Sequence, residues 1–374
     1  MLLWAACAAL AILGVNSTSA QQSPDAPFVP GELLVRFRPV ATEGQRDGLR
    51  RAVGSRLLRR FEQVDIEHIK LPANVSVAQA LRVLRGSPDV LSAAPNYRQY
   101  AAAPPPPNDQ YWLDNSLWGM QKINAQAAWI NFSPGGPGAD SSNVVAAFID
   151  TGTGYNHPDL AANIWSSPSS FTFQGVTCPP GTHGVNTVTD PLTCDPMDDQ
   201  GHGTMTAGIA GAVGNNMIGV VGVNWSVKIM PCKALDSNAL GTSASEIACF
   251  DFIIDQKVNH GVNVRVINNS WGSYVFDSNI QAAIDAAGTA GLLNVAAAGN
   301  LGTDNDGPNP FYPASYTTSP SILSVAASDS DDNPAVFSDI NRTNYGAKSV
   351  DLAAPGALIL STFSSPLAPG VDYY

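Results

Sequence analysis

The sequence predicts an α/β body, a parallel sheet with helices on both faces, preceded by a small α+β unit. Three observations carry this. From Asp109 onward, apolar runs of strand length alternate with helical stretches, the pattern of strands buried on both sides. Residues 28–100 follow another rhythm, in which short half-buried strands flank two amphipathic helices. Between the two, residues 101–108 (AAAPPPPN) hold four consecutive prolines, which force an extended, exposed linker. With 374 residues, 44% of them apolar and 13% charged, the chain can bury a large core and is unlike a disordered one.

Residues 1–20 (MLLWAACAALAILGVNSTSA) are apolar and then small and polar, the pattern of a secretory signal cleaved near Ala20, although the segment has no Lys or Arg. In the front unit, 28–100, Gly31–Arg38 alternates as a strand and Glu43–Val53 reads as a helix. Arg56–Val64 and Asp65–Leu71 read as strands, and Val90–Tyr100 as a last extended segment. Ser76–Arg85 has apolar residues at 77, 80, 81 and 84, a helical stripe behind a Ser cap. This order is ferredoxin-like in outline.

The body, 109–374, is read as strands at Val144–Ile149, Val264–Asn268, Leu292–Ala297 and Ile322–Ala326, with a broken strand over Val227–Pro231 and Ala234–Leu235. Helices are expected at Thr204–Val213, Ser245–His260 and Asn279–Ala290. In such sheets active groups collect beyond the C-terminal strand ends. No apolar run past the N-terminus approaches the ~20 residues that span a bilayer.

Residues 21–100 carry 12 Lys+Arg against 8 Asp+Glu, whereas residues 101–374 carry 7 against 23. A basic front and an acidic body can attract each other, and the acidity argues against nucleic acid. Four cysteines follow residue 20, an even number that fits an oxidising compartment. Cys178 and Cys194 bracket one loop and are expected to pair; Cys232 and Cys249 either pair or are simply buried. Zinc is not expected, because no ligand spacing accompanies them.

Three residues carry candidate chemistry. Asp150 ends an apolar run and precedes Thr-Gly-Thr-Gly, where a carboxylate can be desolvated yet reached by a partner. His202 lies between two glycines at the start of a helix of small residues, a placement suited to general base work. Asn300 ends LNVAAAGN, where a side-chain amide can donate to a developing oxyanion.

Together these motifs resemble a subtilase, a subtilisin-like serine protease with its propeptide. FIDTGTGYNHPDL is similar to that family's Asp motif, and GHGTMTAGIAGA to its His motif, with Met205 where a second His is usual. VAAAGN resembles the oxyanion segment, NNSWGS the substrate-binding strand and DLAAPG the strand before the nucleophile. GELLVRF and PNY (Pro95–Tyr97) resemble the inhibitory propeptide. The resemblance implies a secreted serine endopeptidase acting through an Asp–His–Ser triad, with Asp150 and His202 as two of its members and Asn300 as oxyanion donor. It implies that Leu240, Gly241, Ser270, Trp271 and Gly272 pair with an extended peptide, and that Ala297, Ala298 and Gly299 line the primary pocket. It also implies structural Ca²⁺ at Asp109, Asp159 and Asn216. The expected partners are a protein or peptide substrate and the chain's own propeptide, whose end would lie in the cleft. No membrane contact is expected after signal removal, and a monomer is expected.

The family's nucleophile stands in a Gly-Thr-Ser stretch after DLAAPG. Here the sequence runs from DLAAPG to Tyr374 without one, so the expectation is a chain cut short of its nucleophile and inactive as written. Gly241-Thr242-Ser243 imitates the motif but precedes Asn300, and Ser243 is rejected on that ground. The alternative is a non-catalytic peptide-binding pseudoprotease.

Overall fold

The computed structural model describes residues 28–97, 106–132, 142–366 and 368–374. The expected signal over 1–20 and most of the expected linker lie outside these. Two compact units divide the chain, one ending at Ala101 and the other beginning at Ala102.

The first unit runs β1 (Phe28–Phe37), α1 (Glu43–Ala52), β2 (Arg56–Phe61), β3 (Ile66–Lys70), α2 (Val77–Arg85) and β4 (Val90–Tyr97). Its sheet has the order β2-β3-β1-β4, antiparallel throughout, as the ferredoxin-like reading requires. Ser76 caps α2 by accepting from Gln79 N, and Ala80, Leu81 and Leu84 are buried against Leu33, Val35 and Ile69. Helix α1 differs, because its buried residues are Arg46 and Arg50. Arg50 pairs with the fully buried Glu67 at 2.7 Å, and Arg46 with Asp65 at 2.7 Å.

The second unit opens with three short helices, α3 (Gln110–Leu113), α4 (Trp118–Lys122) and α5 (Ala125–Phe132). Then follow β5 (Val145–Asp150), the hairpin β6 (Phe171–Phe173) and β7 (Val176–Cys178), β8 (Val185–Asn186), α6 (His202–Gly211) and β9 (Lys228–Lys233). The chain continues through α7 (Ser243–Val258), β10 (Val264–Asn269), α8 (Ser278–Thr289), β11 (Leu293–Ala297), β12 (Ile322–Ser328) and β13 (Leu352–Pro355). Seven strands form one sheet in the order β13-β12-β11-β10-β5-β9-β8, with every pairing parallel.

Strand β5 shows why the runs are continuously apolar. Val145, Ala147 and Ile149 face a core with Phe250, Phe252 and Ile253 of α7 and Ile280 and Ile284 of α8. Ala146 and Phe148 face a second core with Ala207 of α6, Trp112, Trp129 and Ile229. Successive side chains point to opposite faces, so a strand covered on both sides has no polar position.

The expected broken strand is corrected: Lys228–Lys233 is one continuous strand through Pro231. On that edge β9 pairs with Ile164 at Ile229 and with the two-residue β8 at Cys232 and Lys233, so Pro231 stands between the two pairings and its missing N–H is tolerated. Both cysteine pairs are bonded: Cys178–Cys194 closes the expected loop, and Cys232–Cys249 ties β9 to α7.

Candidate active site

Asp150 is the last residue of β5 and His202 the first of α6, and the fold brings them together across 52 positions of sequence. The His202 Nδ1 stands 2.7 Å from Asp150 Oδ1. Asp150 is 1% exposed, and its oxygens also accept from Thr151 N at 2.8 Å and the Thr206 hydroxyl at 3.2 Å. A carboxylate can only accept, so Nδ1 carries the proton and the second ring nitrogen keeps its lone pair. That nitrogen, Nε2, has no hydrogen-bond partner among the described residues. The His202 side chain is 37% exposed. Burial opposes the imidazolium, but the bond to Asp150 and the charges of Asp150 and Asp198 outweigh it, and the pKa is raised above its usual value.

The two glycines flanking His202 are needed for the approach. Gly201 has φ +114°, and a Cβ there would lie 2.3 Å from the Phe363 ring. A Cβ on Gly203 would lie 2.0 Å from the Gly152 carbonyl oxygen. A side chain at Gly203 would push α6 away from the end of β5, and one at Gly201 would displace Phe363.

Residues that sequence reasoning missed hold this junction. Buried Asp198 accepts from Thr151 Oγ1, Gln200 N and Gly201 N, each at 2.9 Å, and from Thr204 N at 2.9 Å and Thr204 Oγ1 at 2.6 Å. It ties the end of β5 to the first turn of α6. The buried Lys233 Nζ donates to the Thr151 and Leu235 carbonyls and to Asp199. The only signals were the acidic DDQ before the His motif and a lysine closing an apolar run.

A cleft begins at His202. One cavity of about 400 Å³ is bounded by Leu240, Gly241 and the Ser270–Ser273 segment and reaches Tyr312 and Tyr316. A second, of about 180 Å³, is lined by Ala297, Gly299, Asn300 and Phe311, and the two share Ser270 and Trp271. Asn300 is exposed at the second cavity, just past β11. Ala298 does not line it: it is 1% exposed, with its backbone bonded to Val325 and Asn305. The backbone of Ser270, Trp271 and Gly272 makes no hydrogen bond among the described residues, which leaves an open strand edge on the cleft. Ser243 bonds through its hydroxyl to Asp277. The Ser361 and Thr362 hydroxyls donate to the Met205 and Thr204 carbonyls of α6.

Asp109 and Asp159 are both fully buried and are joined through Asn216. The Asn216 amide nitrogen donates to Asp159 at 2.7 Å, while its oxygen accepts from Ile218 N at 3.0 Å. Burial pushes the Asp109 carboxyl up. It pushes Asp159 up to about 6, with the Asp109 charge adding and bonds from Asn216, Val220 and Tyr373 opposing. No Lys, Arg or His side chain pairs with either carboxylate among the described residues. Two buried carboxylates without a counter-charge suit a hard dication, but the expected Asn216 oxygen is turned to Ile218 N and would have to rotate toward the ion to serve as a ligand. No three acidic, His or Cys side chains converge among the described residues, so carbonyls would have to complete such a site.

A family model described as the Subtilase family matches residues 141–373. The chain belongs to the subtilase family. By that membership it is a serine endopeptidase. A second model, described as the Fervidolysin N-terminal prodomain, matches residues 15–96 of this subtilase. Thermitase of Thermoactinomyces vulgaris is 35% identical over 257 residues, covering 69% of this chain and 76% of thermitase. A thermophilic serine proteinase of Bacillus sp. (strain AK1) is 31% identical over 341 residues, covering 90% and 72%. Among solved structures, the psychrophilic subtilisin-like protease Apa1 from the Antarctic psychrotroph Pseudoalteromonas sp. AS-11 shares 29% identity at a TM-score of 0.47, over 66% of this chain and 47% of that one.

Proposed function

We propose that this subtilase is a secreted endopeptidase in which the Asp150–His202 pair activates a serine nucleophile supplied from outside residues 1–374. The observation that carries the reading is the buried Asp150 at 2.7 Å from His202 Nδ1, on a ring whose Nε2 is free and which borders a peptide-sized cleft. Asp150 holds the tautomer and stabilises the imidazolium. Nε2 takes the serine proton as the hydroxyl attacks the peptide carbonyl, then delivers it to the leaving amine; a water, deprotonated in turn by Nε2, releases the acyl group. The Asn300 amide donates to the oxyanion of each tetrahedral intermediate. The free backbone of Ser270–Gly272 and the Leu240–Gly241 segment pair with the substrate as flanking strands. The engaged hydroxyls of Ser243, Ser361 and Thr362 support a nucleophile lying elsewhere.

The N-terminal unit acts as folding assistant and inhibitor, a role supported by its match to a prodomain. Ca²⁺ would be held by Asp109, Asp159 and the loop around Asn216, and when bound it supplies positive charge between two buried carboxylates. Secretion is supported by the two disulfides and the apolar residues 1–20. Among the described residues no helix is long and apolar enough to cross a membrane.

The test is to read the gene past codon 374, express the complete reading frame and assay hydrolysis of denatured casein. Hydrolysis that disappears in His202→Ala supports the proposal. Peptide binding without cleavage in the complete protein contradicts it and favours the pseudoprotease.

A further inference from the structure

The larger cavity of the cleft has an acidic feature that peptide hydrolysis does not use. Glu246 stands in the first turn of α7, half-buried, and lines the cavity that begins at His202. Its carboxylate makes no hydrogen bond and no ion pair among the described residues. Capping of the helix does not need it, because Thr242 and Ser245 already form a reciprocal capping box. The neighbouring Asp277 is differently employed: it accepts from Asn279 N at 2.8 Å, from the Asn279 amide at 3.1 Å and from the Ser243 hydroxyl, and so caps α8. Among the described residues no Lys or Arg lines the cavity. The nearby Lys233 is turned to Thr151, Leu235 and Asp199. Burial, with the Asp277 charge adding, pushes the Glu246 carboxyl up to about 7.

The walls supply the rest of the recognition. Leu240, Val275, Ile280, Tyr312 and Tyr316 line the same cavity and give it apolar walls beside the carboxylate. A long side chain with an aliphatic stem and a cationic head matches apolar walls beside an unpaired carboxylate. A bare metal ion does not, because a single unengaged carboxylate falls far short of the oxygen ligands it needs.

We infer that Glu246 is the specificity-determining residue of a subsite that takes a lysine or arginine side chain of the substrate. The inference rests on the cleft binding an extended peptide as proposed above. The Nζ or guanidinium group would pair with the Glu246 carboxylate while the stem lies along Tyr312 and Ile280.

The test uses the matured product of the complete reading frame and peptide substrates in which each position on the acyl side of the scissile bond is varied in turn among lysine, norleucine and glutamate, assayed in mildly alkaline buffer. At one position the protease should cleave the lysine peptide with a kcat/KM about tenfold or more above that for norleucine. Glu246→Gln should bring that ratio close to one, and Glu246→Lys should turn the preference toward glutamate. Continued cleavage of the norleucine peptide shows that each variant is folded. Cleavage with no lysine preference at any position, or a preference that survives in Glu246→Gln, overturns this inference alone. Failure to cleave any peptide overturns the cleft reading and this inference with it.

Discussion

The Asp150 carboxylate, at the end of a central strand, and the His202 imidazole, at the start of a helix, meet at 2.7 Å with the proton on Nδ1. Because Asp150 is buried, the contact is hardly diluted by solvent, and it sets both the tautomer and the basicity of the ring. Replacing Asp150 with Asn keeps the shape and removes the charge. In the complete protease Asp150→Asn should lower kcat by about 10⁴-fold, as loss of the equivalent charge does in other triads. Its pH profile is a second check. His202 is raised, and the base works when deprotonated, so activity should climb with pH through a value above the ordinary 6.5. In Asp150→Asn that limb should move to lower pH.

Asn300 is exposed at the cleft and past the end of its strand, so its amide can be removed without disturbing a core. Asn300→Ala should lower kcat by roughly 10²–10³-fold with little change in KM, a magnitude known from another protease of this family. Steady-state kinetics separate the two parameters, and a rise in KM at constant kcat would assign Asn300 to ground-state binding instead.

Asp198 accepts five hydrogen bonds, so its exchange for Asn should damage the junction of β5 and α6. The new amide group would face donors where an acceptor is required. A loss of roughly 2–4 kcal/mol is expected in chemical denaturation. A fall in kcat larger than any change in KM should accompany it, because His202 rather than the substrate edge is displaced.

The Asp109–Asp159 pair predicts a pH-dependent response to calcium. Both carboxyls are raised, so their ionisation disfavours the fold: the penalty is absent at pH values below the ordinary carboxylate range and complete above about 6 for Asp159. For Asp159 this amounts to roughly 3 kcal/mol. Calcium should therefore raise Tm strongly at neutral pH and little near pH 4, and a chelator should act in reverse. Calorimetric melts at the two pH values, with and without the ion, check this; equal increments would contradict it.

The disulfides should differ in accessibility. Cys232 and Cys249 are both fully buried, whereas Cys194 is half-buried beside buried Cys178. Mild reduction and alkylation of the folded protein should label Cys194 and Cys178 first, as read by peptide mass spectrometry. Removing the Cys178–Cys194 bond by double substitution with Ser should cost about 3 kcal/mol, given the loop it closes.

Much of this was legible in sequence. Strands β10 and β11 fall within one residue of the expected bounds, and helices α7 and α8 within two residues of where their periodicity places them. Asp150, His202 and Asn300 could be found because each stands at a strand end or helix start within a distinctive local pattern. The hairpin β6–β7 and strand β8 could not, since two or three residues carry no period. Helices α3 and α4, of four and five residues, were missed for the same reason of length. Asp198, Lys233 and Glu246 act through partners distant in sequence or through a cavity wall, and nothing local distinguishes them from solvated charges. The expected break at Cys232–Lys233 is absent because both residues continue the ladder with β5.

The central claim is that Asp150 poises His202 as a base with a free Nε2. Nitrogen-15 NMR of ring-labelled protein tests it directly across a pH titration. The account predicts a neutral His202 protonated on Nδ1, with a strongly deshielded Nδ1 proton, titrating above 6.5 and falling in Asp150→Asn. A neutral ring protonated on Nε2, or a titration that Asp150→Asn leaves in place, would contradict it.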